Sequence, residues 1–323
     1  MHAASFPLAV ALAILPGAAF AADGDLPAEK FDSKLGLAVY ARGPDGRGVR
    51  LGRTPTEDGE GIALPKDGAW WVERSSVRAA LSTWEELAAE IRAKGIPGLE
   101  VSGREFGPWE ACKFKDLAGI RFLVMRDLAN ADVVLPLLAG WSDIEHLDLS
   151  GSDVTAAGLA QLRALKGLRH LDLSHARMRP GNLRFLPDLP RLESLGLGSW
   201  EFANADWLRL GELGSLRRLD LRDGKGVTAA GLARLSALPH LRELDLSRRV
   251  PGPACGNCDW VGPAWPGQES SRSRLRDSAL KPLALLASLE RLDLDGQPLT
   301  WKRVSELTRA LPNCSIEWTP PRR

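Results

Sequence analysis

The segment Ile-Glu-His-Leu-Asp-Leu-Ser at residues 144–150 decides the fold of this chain. A close copy, Leu-Arg-His-Leu-Asp-Leu-Ser, occupies residues 168–174. Related segments begin at residues 96, 120, 192, 216, 241 and 289. The starts from 96 to 216 are 24 residues apart, the next step is 25, and the last is 48, one period plus an insertion. A fixed period of this size is the sequence signature of a repeat architecture.

Each repeat divides into a strand half and a helical half. In the copy that begins at residue 168, Leu171 and Leu173 alternate with His170 and Asp172. This two-residue period predicts a short strand with its leucines facing the core. In the helical half of the preceding copy, apolar side chains recur along one face, at Leu159, Leu162 and Leu165. Three threonines are candidate N-caps of such helices: Thr155, Thr228 and Thr300.

The Leu-Asp-Leu strand, the Val-Thr-x-x-Gly-Leu-x-x-Leu helical half and the 24-residue period together resemble leucine-rich repeats over residues 96–318. The helical half resembles bacterial repeats and those of ribonuclease-inhibitor-like and F-box-type proteins. The resemblance implies an α/β solenoid, with a parallel sheet on the concave face and short helices on the convex face. One departure concerns the loop after each strand, where the family usually places Asn or Cys. Here that position holds Ser152, Ala176, Trp200 and Gly224.

The first 21 residues have the pattern of a secretory signal peptide. An apolar run at residues 6–15 is followed by Pro16-Gly17 and then by Ala19-Phe20-Ala21, a small-x-small cleavage pattern. The run is shorter than the ~17–25 residues that a membrane-spanning helix needs. We therefore expect cleavage near Ala21 and an exported protein, either periplasmic or extracellular.

Three further regions follow the leader. Residues 22–73 are predicted to form an N-terminal β/loop region that contains a hairpin with its turn at residues 43–46. Residues 74–95 are predicted to form a helical capping repeat, because Thr83 and Glu86 fit a capping box. Residues 96–323 form the predicted leucine-rich-repeat domain, with an insertion at about residues 248–274.

Composition limits the classes of partner. Lys and Arg number 42 against 41 Asp and Glu, so the net charge of +1 gives no electrostatic reason to expect nucleic acid or an anionic membrane as partner. Hydrophobic residues make up 44% of the chain, as in soluble globular proteins. We expect a protein partner and no membrane insertion.

The candidate binding residues are the polar side chains that alternate with the strand leucines. In-register stacking would bring them together on the concave face: His146, Asp148, His170, Asp172, Arg218, Asp220, Arg222, Asp245, Arg291 and Asp293. Two interpretations of the Asp ladder remain open. It is either an acidic ligand-binding surface or a solvated column that is partly paired to neighbouring Arg residues.

Two smaller features lie on the same predicted face. His146 and His170 should be neighbours flanked by Asp148 and Asp172, a set that can bind a metal or shuttle protons. A flat sheet face offers neither burial nor a second shell, so we expect ordinary polar contacts and no metal or cofactor. Gly196 and Gly198 either leave a notch or reflect decay of the repeat.

The tryptophans divide by their place in the repeat. Three fall on its apolar positions, Trp84, Trp207 and Trp318. Three others do not follow from the repeat, Trp70, Trp71 and Trp200.

The insertion holds the remaining candidates. Cys255 and Cys258 have the spacing of a redox motif, but no helix follows them and there is no second Cys pair for a zinc site. In an exported protein we expect them to form a local disulfide. Trp260 and Trp265 lie on the same loop and are candidates for partner contact. Cys112 and Cys314 lie at opposite ends of the solenoid and are expected to be separate buried thiols.

These features favour a non-enzymatic protein-interaction scaffold that binds through the concave face and the insertion. One alternative is a secreted effector or F-box-like substrate-recognition protein, although no F-box-like helical segment is visible. The other is a thiol-disulfide redox protein that uses Cys255 and Cys258. The oligomeric state does not follow from the sequence.

Overall fold

The computed structural model describes residues 29–43, 48–66, 69–74, 83–102, 109, 112, 119–248 and 275–319. The predicted leader lies outside the described residues. So does most of the insertion, with Cys255, Cys258, Trp260 and Trp265. Within the part that is described, no helix combines the length and apolar character needed to cross a membrane.

The described strands, in chain order, are β1 (Lys30–Phe31), β2 (Leu37–Arg42), β3 (Gly48–Arg53), β4 (Ile62–Ala63), β5 (Trp70–Arg74), β6 (Gly98–Glu100), β7 (Phe122–Val124), β8 (His146–Asp148), β9 (His170–Asp172), β10 (Ser194–Gly196), β11 (Arg218–Asp220), β12 (Glu243–Asp245), β13 (Arg291–Asp293) and β14 (Ser315–Glu317). β1 and β4 form a small antiparallel pair. The other twelve form one sheet in the order β14 to β5, then β2 and β3.

The parallel part of the sheet, from β5 to β14, confirms the leucine-rich-repeat solenoid. From β6 to β13 each strand pairs with the next so that the central leucines face one another, as Leu147 faces Leu171. These central leucines are at most 2% exposed and form one continuous core with the convex helices. The predicted hairpin is also present, because β2 and β3 are antiparallel and β2 joins the edge of the repeat sheet through β5.

Short helices line the convex side. They are α1 (Trp84–Lys94), α2 (Ala156–Gln161), α3 (Asn204–Leu210), α4 (Ala229–Arg234), α5 (Leu280–Leu283) and α6 (Trp301–Ala310). 3-10 segments lie on the same side. In repeats without a described α-helix they are Ala131–Val133, Leu135–Gly140 and Leu183–Asp188, and next to a helix they are Leu162–Ala164, Leu235–Ala237 and Asp277–Ala279. Both hydrogen bonds of the predicted capping box at Thr83 and Glu86 are formed.

The threonine caps are only partly as predicted. The hydroxyls of Thr155 and Thr228 accept hydrogen bonds from the first turns of α2 and α4. The Thr300 hydroxyl makes no capping bond and instead donates to Asp277, 2.7 Å away in the preceding repeat. Thr300 nevertheless occupies the N-cap position of α6, as predicted, without a side-chain capping bond.

Three different side chains satisfy the loop carbonyls where the family usually has Asn. Ser152 donates to the Met125 carbonyl at 3.0 Å, and the Trp200 indole donates to the Leu173 carbonyl at 2.6 Å. Gln297, at the same place in its repeat, donates to the Leu246 carbonyl at 2.6 Å. Each bond runs to the preceding repeat, so these side chains hold neighbouring turns of the solenoid together.

A left-handed residue follows each of the strands β7 to β11, and its N–H bonds to the next repeat. His175 (φ 61°) and Ser199 (φ 65°) adopt this conformation although they carry side chains. Their amides donate to the carbonyls of Gly198 and Arg222 at 2.8 and 2.6 Å. The hydrogen bond between repeats thus offsets a conformation that L-residues disfavour.

Replacing Trp200 by Phe should destabilise the protein more than replacing Trp207 by Phe. Both indoles are buried, but the Trp207 Nε1 has no hydrogen-bond partner among the described groups. Only the Trp200 change removes a buried hydrogen bond, after which the Leu173 carbonyl keeps the Ala176 N–H at 3.1 Å, an additional cost of about 0.5–1.5 kcal/mol. Chemical denaturation of the two variants measures the difference, and equal losses of stability would contradict the assignment.

Candidate binding surface on the concave face

The strand register brings the predicted concave residues into columns. One column runs through Phe122, His146, His170, Ser194, Arg218, Glu243, Arg291 and Ser315. The adjacent column runs through Glu100, Val124, Asp148, Asp172, Gly196, Asp220, Asp245, Asp293 and Glu317. Nine of the ten candidates fall in these two columns, and Arg222 lies beside them.

An apolar cluster fills the concave face at its N-terminal end. Trp71 packs there with Phe122, Val124 and Ala69, and Tyr40 stacks on its ring at 5.9 Å. Gly98 makes room for this indole, since a Cβ at that residue would lie 2.6 Å from the Trp71 Cβ. The repeat pattern did not predict this packing, because the packing depends on β5, a strand that precedes the regular repeats.

The two adjacent tryptophans of β5 point to opposite sides of the sheet. Trp70 packs into the main core, with its ring 5.0 Å from Phe31. Trp71 faces the concave side and donates its indole N–H to the buried Glu100 carboxylate at 3.0 Å. The alternation of side chains along a strand thus explains a pair that the repeat pattern left unassigned.

The two histidines are neighbours, as predicted, but they are not on an open surface. Their ring centroids are 5.6 Å apart, and Arg42 Nη2 lies 2.9 Å from the Nδ1 of His170. Because arginine can only donate, this Nδ1 accepts and the neutral ring carries its proton on Nε2. The expectation of an uncovered pair was wrong, because the N-terminal hairpin brings Arg42 over the rings.

The environment of the histidines favours their neutral forms. Burial, together with the Arg42 charge, lowers the pKa of His170 to about 3. The same two causes lower the pKa of His146 to about 4. The Nδ1 of His146 is buried without a hydrogen-bond partner among the described groups. Within the described ranges, no cluster of three His, Cys, Asp or Glu side chains is arranged to hold a metal ion.

The acidic column is partly paired to arginines, as one of the two interpretations from the sequence expected. Arg126 lies 2.7 Å from Asp148, and Arg222 lies 2.5 Å from Asp220 and 3.3 Å from Asp245. These carboxylates are partly neutralised by arginines of the same face. In contrast, two other acids of the column make no ion pair with any described residue, Asp172 and Asp293.

The incompletely paired carboxylates hold protons more tightly than usual. Burial and the neighbouring Asp148 raise the pKa of Asp172, and its carboxylate is fixed by the Ser174 N–H at 2.8 Å. Burial, with repulsion from Asp220, raises the pKa of Asp245 to about 6. Burial and Glu317 raise the pKa of Asp293. An added positive charge on this face would therefore be stabilising.

The predicted notch at the two glycines is occupied. A Cβ at Gly196 would lie 2.5 Å from an Asp172 carboxylate oxygen, and the Ser174 hydroxyl accepts a hydrogen bond from Gly198 N–H at 3.1 Å. The Asp172 and Ser174 side chains therefore use the space that the glycines leave. Trp200, which follows them, is buried and is not a surface contact.

One prediction about the cysteines needs correction. Cys314 is buried, and burial raises the pKa of its thiol. Cys112 is exposed rather than buried. It occupies the place in the repeat where later copies have the exposed residues Arg184 and Leu208, so this position faces away from the core.

The neutral histidines predict a specific pH dependence of stability. A folded pKa below the unfolded value of 6.5 means that the unfolded chain binds more protons, so this stabilisation is complete above pH 6.5 and is lost as pH falls towards 4. Relative to a His170→Asn variant, the wild type should lose about 1–2 kcal/mol between pH 7 and pH 5, allowing for solvent screening.

Urea unfolding at both pH values measures this difference. His240→Asn, which changes an exposed ring in the turn three residues before β12, is the control and should leave the pH dependence of the wild type unchanged. Parallel stability profiles for the wild type and His170→Asn would rule out a neutral, Arg42-bonded His170.

Comparison with known proteins gives structural likeness only. No protein-family model and no curated protein matches the chain. Among solved structures, an internalin from Listeria monocytogenes aligns over 76% of this chain and 66% of its own, at 16% identity with a TM-score of 0.45. An internalin C2 from the same organism aligns over 65% of this chain and 72% of its own, also at 16% identity, with a TM-score of 0.36. This chain therefore spans just under two thirds of the first internalin's length.

Proposed function

We propose that this protein is a non-enzymatic scaffold that binds a protein partner through its concave face. The supporting observation is the register of the parallel strands, which presents columns of charged side chains on a rigid core. Arg218 and Glu243 form a two-bond ion pair there, with both distances 2.8 Å. Such fixed charges give a partner a defined surface to complement.

Export to the periplasm or the cell exterior is part of this proposal and depends on the leader pattern in residues 1–21. A contribution from the insertion also stays a prediction. The chain enters the insertion shortly after β12, whose Asp245 belongs to the concave face, so deletion of residues 250–272 tests it. No described residue favours the effector or redox alternatives.

A charge-reversal experiment tests the concave face directly. Glu243→Lys combined with Glu317→Lys should reduce recovery of partners from an envelope extract at least about tenfold, because two ion pairs become repulsive contacts. Quantitative mass spectrometry after affinity capture gives the measurement.

The matched control makes the same two changes on the convex side. Glu212→Lys with Glu306→Lys alters exposed ion pairs with Arg209 and Arg303, and should leave recovery unchanged. Circular dichroism establishes that each variant is folded. If the folded concave variant captures the same proteins as the wild type, the concave face is not the binding surface.

A further inference from the structure

We infer that the C-terminal part of the concave face, from β9 to β14, binds a basic segment of the protein partner that carries several Lys or Arg side chains. This inference rests on the proposed function and specifies the chemistry of its partner. We call this region the acidic concave surface. It consists of the side chains that alternate with the buried leucines of these six strands.

The charges of this surface are strongly unbalanced. It carries seven carboxylates, Asp172, Asp220, Glu243, Asp245, Asp293, Asp295 and Glu317. Against these it has three guanidinium groups, Arg218, Arg222 and Arg291. The surplus of four negative charges contrasts with the net charge of +1 for the whole chain. A cationic partner is therefore attracted to this face in particular.

The neighbouring row of charges does not correct the imbalance, because it is paired within itself. Just before the strands, Arg169 and Arg217 contact Glu193, at 2.6 and 3.7 Å. Arg242 contacts Glu290 at 2.9 Å. These ion pairs keep the row close to neutral. The row therefore supplies no additional cations to the carboxylates of the acidic concave surface.

The N-terminal part of the face is closed to the same partner. The chain supplies its own cations here. Arg126 contacts the carboxylates of Glu100 and Asp148, and Arg42 contacts His170. Phe122 and Val124 are at most 4% exposed beneath the Trp71 cluster. Exposure rises towards the other end of the sheet, where Arg291 and Glu317 are open to solvent. The partner therefore has access from β9 onward.

The size of the surface sets the length of the segment. Five strand spacings of ~4.8 Å separate β9 from β14, a span of ~24 Å. An extended peptide of about seven residues covers this distance. The unpaired Asp172 and Asp293 lie four spacings apart within it, so one segment can reach both.

A peptide-binding assay tests the inference on the full-length protein. A fluorescein-labelled heptapeptide of alternating Lys and Gly should bind, with an affinity that falls as salt rises, and its Glu and Gly counterpart should not. Asp172→Asn with Asp293→Asn should weaken the Lys peptide about five- to tenfold, because two attractive charges are removed from partly buried positions. Fluorescence anisotropy measures both peptides.

The control removes the same charge elsewhere. Asp188→Asn with Glu212→Gln changes two exposed carboxylates away from the concave face and should leave peptide affinity unchanged. Equal weakening by both double variants would show attraction by net charge and overturn the inference. So would equal binding of the Lys and Glu peptides, or spermine binding as tightly as the Lys peptide.

The outcome separates this inference from the proposed function. If the glutamate reversals abolish partner capture but the Lys peptide does not bind, the concave face recognises a partner of other chemistry and only this inference fails. If the reversals leave capture intact and the peptide also fails to bind, both fail.

Discussion

The register between successive strands is the constraint on which the rest of the structure depends. Leu147 pairs with Leu171 with no offset, and the same pairing continues from β6 to β13. Because side chains alternate along a strand, a slip of one residue would turn the leucines outward and the aspartates into the core. The leucines that fix this register therefore also determine which polar side chains share the concave face.

The same constraint explains the division of that face. At the N-terminal end the sheet continues into β5 and β2, which belong to no regular repeat. Their side chains, Trp71 and Arg42, lie against Phe122 and His170 and leave the histidines neutral. Apart from His170, strands β9 to β14 have no such cover among the described residues, and their acidic side chains keep an unbalanced charge. One face thus has a closed part and an accessible part.

The sequence predicted what depends on period alone. The strands, their register, the columns of candidate residues and the hairpin all follow from spacing and turn residues, and the structure contains them. The sequence could not predict contacts between residues that lie far apart along the chain. Arg42 and His170 are 128 residues apart, and nothing in the repeat pattern connects them.

The sequence also did not predict local features that several residue types can provide. Ser, Trp and Gln each supply the same loop hydrogen bond, so no single letter marks the position. The left-handed residue after strands β7 to β11 varies in the same way, from Gly151 to His175 and Ser199. In both cases the structure conserves a hydrogen-bond geometry rather than a side chain.

Carboxyl labelling tests the division of the concave face most directly. A carbodiimide with an amine nucleophile modifies accessible Asp and Glu side chains, and peptide mass spectrometry gives a rate for each. We predict slow labelling of Glu100 and Asp148, which are 7% and 5% exposed, and fast labelling of Glu317, which is open to solvent. Equal rates at the two ends of the sheet would contradict it.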